Sequence, residues 1–275
     1  MILPRIPVGT WFEAFVDFID MVFKSQFDNI RKMVAGMVGF FESILHLLPF
    51  WLLIIILALL VYKITGRGVA IFTVVGLLLI ENIELWDQSI QTLSLVLTST
   101  IITLIIAIPL GILAAKNNVV DKIVRPVLDF MQTMPAFVYL LPAVTFFRIG
   151  IVPAVMATII FAMPPAVRLT NLGIRQVPDE LVEAGNAFGS TWYQMLFKIQ
   201  LPQALPTIMA GINQCIMLSL SMVVIASMIG AGGLGQVVRS GISNFDIGMG
   251  FEGGIAVVII AIILDRLTQS VGVKK

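Results

Sequence analysis

Residues 88–115 read QSIQTLSLVLTSTIITLIIAIPLGILAA, without one charged side chain. As α-helix this run is about 42 Å long, whereas a bilayer core of about 30 Å takes about 20 apolar residues. It is long enough to cross with tilt or to extend into water. Further uncharged runs flank it: 43–62 (apolar from 47), 68–80, 130–147, 149–167 and 199–238. The last run, 246–264, is broken past Asp246 only by Glu252. The run 68–80 is short and must recruit flanking residues or sit off-axis. The run 199–238 holds one span, at 205–228, and a glycine-rich tail. Seven candidate spans result.

Composition agrees. Of 275 residues, 59% are hydrophobic and 12% charged, with a mean hydropathy of +1.02. A soluble domain carries about a quarter charged residues, so this chain lacks the polar side chains to cover a water-facing surface. The fold class is an all-α membrane protein. A net charge of +1 gives no nucleic-acid footprint. One cysteine, Cys215, and one histidine, His46, exclude an internal disulfide and cysteine- or histidine-pair metal sites. The chain is expected to carry no metal and no cofactor of its own.

Residues 1–45 differ. Glu13, Asp17, Asp20, Lys24, Asp28, Arg31 and Lys32 are interleaved with Trp11, Phe12, Phe15, Phe18, Met21 and Val22 at helical spacing. A signal peptide is basic first and then continuously apolar. This segment reads instead as one or two amphipathic helices, either lying on a membrane surface or packed on the chain's own spans. Residues 46–86 supply two N-terminal spans, and 87–270 a core of five.

Lys and Arg near span ends favour the cytoplasm. Lys63 and Arg67, then Lys116, Lys122 and Arg125, then Arg168, Arg175 and Lys198, then Arg266, Lys274 and Lys275 fall on alternate connections. The opposite connections hold Glu81, Glu84 and Asp87, then Arg148, then Arg239 with Asp246. The N-terminus is expected outside and the C-terminus inside.

The one long internal connection, 169–202, lies on that cytoplasmic side. Pro178 followed by Asp179 and Glu180 starts a helix, because proline suits a first turn and carboxylates its positive end. Gly189 interrupts it, Ser190 is placed to cap a second short helix, and Pro202 closes the unit. A helix–glycine–helix elbow projects from the membrane.

Within it, Glu183-Ala184-Gly185, then Gly189, Ile199, Leu201 and Pro202 resemble the EAA loop of ABC importer permeases, with Gly185 where a second alanine is usual. Met131-Gln132-Thr133-Met134-Pro135-Ala136, Phe161-Ala162-Met163-Pro164-Pro165, Gln176-Val177-Pro178 and Ile229-Gly230-Ala231-Gly232-Gly233-Leu234-Gly235 resemble the permease subunits of glycine betaine/proline betaine (compatible-solute) importers, the ProW/OpuAB type. The resemblance covers residues 70–270. It implies a type I ABC importer permease core, a second permease copy, two ATPase subunits holding the ATP and Mg, and an extracytoplasmic solute-binding protein. It implies a prokaryotic cytoplasmic membrane. The loop around Glu183 would be the lever that the ATPase grips.

Gly230-x-Gly232-x-x-Gly235 formally matches a dinucleotide fingerprint, but that needs a strand before and a helix after in a soluble unit. Here the glycines let helices pack or bend near an outer gate. No phosphate-binding loop of the Gly-x-x-x-x-Gly-Lys-Ser/Thr type occurs, so if transport is ATP-driven its energy source is a separate polypeptide. Pathway or gate candidates are Pro135, Tyr139, Pro164, Asn213, Gln214, Gly232 and Gly233. Prolines in membrane helices mark bends lining a cavity, or merely static kinks. Polar residues within 205–228 either line a path or bond between helices. Four scattered tryptophans form no aromatic cage for a quaternary ammonium. This agrees with substrate recognition residing in a partner. The alternatives are an ion-coupled secondary transporter and an ABC permease for another small solute. An intramembrane enzyme lacks its base: the single histidine serves no Gly-x-Ser-x-Gly nucleophile.

Overall fold

A computed structural model describes residues 6–272. Residues 1–5 and 273–275, Lys274 and Lys275 among them, lie outside the described residues. The described residues form helices joined by short turns: α1 (Val8–Leu47), α2 (Phe50–Ile64), α3 (Arg67–Asn82), α4 (Trp86–Lys116), α5 (Asn118–Thr133), α6 (Ala136–Phe147), α7 (Ile151–Arg175), α8 (Asp179–Ala187), α9 (Trp192–Gln194), a π-helical stretch Met195–Gln200, α10 (Leu201–Ala226), α11 (Gly233–Ser243) and α12 (Ile247–Gly272).

α7 is the central rod, clamped between α4 and α10. Two glycines make the clamp tight. A Cβ on Gly111 of α4 would lie 2.8 Å from the Val167 carbonyl oxygen, and one on Gly211 of α10 would lie 3.2 Å from that of Pro165. Backbone-to-backbone approach of this kind replaces the hydrophobic drive that lipid does not supply. Around it, α3 packs on α12, and α11 lies across α10 and α12. The main core runs through Leu95, Val155, Leu220, Leu234 and Ile259.

The ends of the bundle are identified by polar ties. Arg175 closing α7 donates to Ala114 O near the end of α4 (2.8 Å), and Lys116 donates to Gln200 just before α10. At the other end, Gly150 N–H before α7 donates to Ile229 O after α10 (2.9 Å).

The apolar runs resolve into fewer straight rods than seven. Four helices, 86–116, 151–175, 192–229 and 247–270, are long and apolar enough to cross a membrane, or up to six if each of two bent pairs counts as one span. The run 43–62 is not one helix. It breaks at Leu48 and Pro49, and α1 and α2 meet at 100°. The run 130–147 breaks at Met134 and Pro135, with α5 and α6 bent by 101°. α2 and α3 form a hairpin of 15 and 16 residues, about 22–24 Å long and so shorter than the hydrocarbon core.

Other boundaries also differ from expectation. α7 continues past Val167 through Arg168 to Arg175, so the long connection begins at Gln176. Lys122, Arg125, Arg168 and Arg175 therefore sit on helices rather than in loops. Pro202 does not end the elbow: it sits in the first turn of α10, where its missing N–H costs nothing. Pro164 and Pro165 are buried inside an unbroken α7.

The second half of α1 packs on the chain's own helices. The whole of α1 is 40 residues long with one non-helical residue, Phe23. Beyond that kink it packs on the chain: Phe27 stacks on Phe146 at 4.6 Å and meets Phe147 edge-on, and Val34 and Val38 are buried. Before it, Trp11, Phe15 and Phe18 remain exposed.

Candidate coupling site

The elbow is built from its capping chemistry. Pro178 precedes α8, and Asp179 and Glu180 occupy its first turn, where carboxylates meet the positive helix end. α8 stops because Gly189 adopts φ +71°, a left-handed state that costs side-chain-bearing residues about 1–2 kcal/mol. That turn lets Ser190 N–H donate to Gly185 O (3.0 Å) and Gly189 N–H to Asn186 O (2.9 Å), satisfying carbonyls left open at a helix end. The second helix is capped by Thr191 rather than Ser190. Thr191 Oγ1 accepts from Gln194 N–H, and Gln194 Oε1 accepts from Thr191 N–H at 2.9 Å. Threonine has Gln194 three residues on and so completes a reciprocal box.

The two arms close on each other at Gly185. It is buried, and a Cβ there would lie 2.6 Å from Ile199 Cδ1 and 2.7 Å from Met195 Cε. Glycine at this place seats α8 on the π-helical stretch, so Gly185 and Ile199 belong to one contact. Glu183 and Ala184 point outward and are exposed. With them stand Leu181, Trp192, Tyr193 and Phe188, the last 90% exposed. Tyr193 and Phe197 pack ring to ring at 4.4 Å. Leu201 and Pro202 belong to the continuous helix below.

Both roots of the elbow are anchored. Arg175 donates to Asn171 Oδ1 (2.8 Å), Ala114 O (2.8 Å) and Asn118 Oδ1 (2.9 Å). Asp121, 6% exposed, accepts from Asn171 (2.7 Å) and Arg125 (2.9 Å), with Arg175 at 3.6 Å. The other root is tied through Lys116 and Gln200. Both legs therefore hang from the last turn of α4. None of these anchors was among the candidates from sequence. The signal for Asn118, Asp121 and Arg125 was polar residues recurring along 118–132; Asn171 and Gln200 had none.

The pathway candidates are dispersed. Pro135 is exposed at the α5–α6 break, and Tyr139, buried, donates its hydroxyl back across it to Met131 O (2.8 Å). Pro164 is buried in α7. Asn213 donates to Asp265 (2.8 Å) and accepts from Thr268 (2.6 Å), clasping α10 to α12. Gln214, next to it, is exposed. Gly232 (φ +75°) and Gly233 (φ +69°) bring the start of α11 onto α4. There Gly233 N–H donates to Gln91 Oε1 (2.9 Å) and Leu234 N–H to Thr92 Oγ1 (2.8 Å). A Cβ on Gly233 would stand 2.6 Å from that threonine oxygen. The donors that a phosphate would need at this helix start are thus bonded to α4.

Comparison with known proteins gives a consistent set. Residues 107–271 match the family described as binding-protein-dependent transport system inner membrane component. The glycine betaine transport system permease protein OpuAB of Bacillus subtilis is 55% identical over 99% of this chain and 97% of its own length. The glycine betaine/carnitine transport permease protein GbuB of Listeria monocytogenes is 56% identical over 98% and 96%. The glycine betaine/proline betaine transport system permease protein ProW of Escherichia coli is 51% identical over 97% of this chain and 75% of its own. A solved structure of the MetNI methionine ABC transporter in an inward-facing conformation is similar in fold, with a TM-score of 0.61 over 66% of this chain and 91% of that one at 21% identity.

Proposed function

Since this chain belongs to the family of binding-protein-dependent transport system inner membrane components, we propose that it is the permease subunit of an ATP-driven importer for quaternary-ammonium osmolytes of the glycine betaine and proline betaine class. The observation that carries the solute class is identity above one half with two such permeases along nearly the whole chain. The chain is a multi-pass membrane protein and not an enzyme. In our reading two copies form the corridor, a solute-binding protein delivers from outside, and two ATPase subunits holding ATP and Mg work from inside. The N-terminus lies outside and the C-terminus inside.

The elbow is where the ATPase grips. Glu183 and Ala184, with Leu181, Phe188 and Trp192 beside them, offer a charged and aromatic face whose apolar area suits a protein groove rather than water. A grip is useful only if it does not flex. Gly185 packing, the Thr191 box and the Arg175–Asp121 and Lys116–Gln200 ties make the elbow one body with α7 and α10. Closure of the ATPase then tilts both helices together. Among the pathway candidates, Pro135, Gln214 and the Gly232–Gly233 strap keep that role. Pro164 and Asn213 serve packing, and Tyr139 braces the break.

The test is radiolabelled glycine betaine uptake at high osmolarity in cells lacking other osmolyte importers. Uptake is expected from this permease with its ATPase and binding protein, and loss of uptake from Glu183→Lys and Gly189→Asp with the chain still in the membrane. Normal uptake by both variants, or uptake that survives ATP depletion but collapses with an ion gradient, would remove the assignment.

A further inference from the structure

A membrane helix does not present charged side chains to lipid without a reason. α5 and α7 carry such side chains, exposed on the described chain, where they meet. Arg168, two turns inside α7 from Arg175 and thus about 10 Å from its end, donates to Gln132 Oε1 and pairs with Asp129 Oδ1, both on α5. The pair is not sealed in protein: the Arg168 and Asp129 side chains are 40% and 65% exposed. Beneath it opens a cavity of about 430 Å³ walled by Asp129, Arg168, Asn171 and Arg175 on its polar side and by Leu128 and Leu172 on its apolar side. That volume is within the range of small-molecule pockets.

The chain is also unwound beside this pair. Met134 and Pro135 are extended (ψ 136° and 134°) where α5 and α6 break at 101°. The first turn of α6 carries N–H groups without partners in their own helix. Irregular backbone at membrane depth is tolerated only within protein or along a water-filled cavity, and broken helices recur where transported solutes are held. An exposed ion pair, a cavity and a broken span coincide at one place.

We infer that Arg168, Asp129 and Gln132 form a polar station on the solute path, whose ligand class is a small zwitterion. This deepens the importer reading and rests on it. In the empty chain the guanidinium and carboxylate neutralise each other. A betaine brings one carboxylate and one quaternary ammonium. Its carboxylate takes the guanidinium, whose planar fork suits two-oxygen binding, and its ammonium faces the freed Asp129. Partners are exchanged and no charge is left uncompensated. Because both side chains stay partly hydrated, the stop is brief and release is fast.

The experiment uses the assembled transporter in proteoliposomes. Arg168→Gln with Asp129→Asn keeps a hydrogen-bonded pair of similar shape and removes its charges. Glycine betaine moved per ATP hydrolysed should fall about tenfold, the scale of losing a charge-assisted bond, and Arg168→Lys, which keeps the charge but not the planar fork, should recover only part of it. A double variant that transports at the wild-type ratio would make the pair a clasp only and overturn the proposal. Independently, Gln132→Cys should react with a charged, membrane-impermeant thiol reagent, with the wild-type chain as blank because Cys215 is buried. Failure to react would place α5 against lipid or a second copy and overturn it too. If the wild type moved no glycine betaine, the solute assignment would fall, and the Gln132→Cys reaction would decide this inference alone.

Discussion

Gly189 and Gly185 stand four residues apart and do opposite things. Gly189 is needed for its backbone angle, with open space around it. Any L-residue there pays about 1–2 kcal/mol of strain. Gly189→Ala is therefore expected to lower uptake severalfold, read as radiolabelled solute per unit of membrane-inserted chain. Gly185 is needed for space, at φ ordinary for a helix. The atoms a Cβ would meet are the terminal carbons of Ile199 and Met195, which can swing aside. Alanine also gains up to about 1 kcal/mol of helix propensity. Gly185→Ala should leave uptake within about twofold of wild type. Asn213 is a third case. Its amide is committed on both sides, to Asp265 and Thr268. Asn213→Leu removes one of two donors to Asp265, Gln269 remaining at 2.7 Å, and also the acceptor of Thr268; it should cost about 1 kcal/mol, seen as a lower melting temperature in detergent, with Asp265→Asn the milder change.

At the scale of elements, the same residue type has different effects in different places. Pro49 and Pro135 stand at sharp bends, whereas Pro109, Pro164 and Pro206 lie inside continuous helices. Hydropathy reports whether a run tolerates lipid, not whether its axis is straight. The difference lies in the neighbours: α7 is held by α4 and α10 along its length, while α5 and α6 pack on α7 in separate halves. The amphipathic character of 1–45 and the glycine between two arms at 189 were legible because both rest on local spacing. The Arg175–Asp121 tie was not, because its partners are 54 positions apart in sequence. That tie also carries a prediction. Asp121→Asn leaves Arg125 and Arg175 without their carboxylate, and a broken buried pair costs about 3–5 kcal/mol, less here because both arginines are partly exposed. The expected outcome is ATP hydrolysis that continues while solute transport per ATP drops, measured on the reconstituted transporter.

For the whole molecule, the polar ties sort the helix ends into two groups, and the positive-inside rule predicts that the group holding Arg175 and Lys116 faces the cytoplasm. Arg175, Lys116 and α8 share an end, and Asp87, Arg148 and Asp246 belong to the other. Glu183→Cys should react with an impermeant thiol reagent in inside-out vesicles and not in intact cells. The reverse result would invert the topology.

Composition and uncharged runs by themselves determined an all-helical membrane chain, and the local spacing around Pro178 and Gly189 determined the helix–glycine–helix elbow. Both follow from solvent preference and short-range geometry, which act along the chain. Only the tertiary structure decided where the runs bend, which asparagine is a clasp, and that Arg168 meets Asp129 across two helices. Those outcomes depend on which backbone lies beside which, and no local property of a residue carries that information.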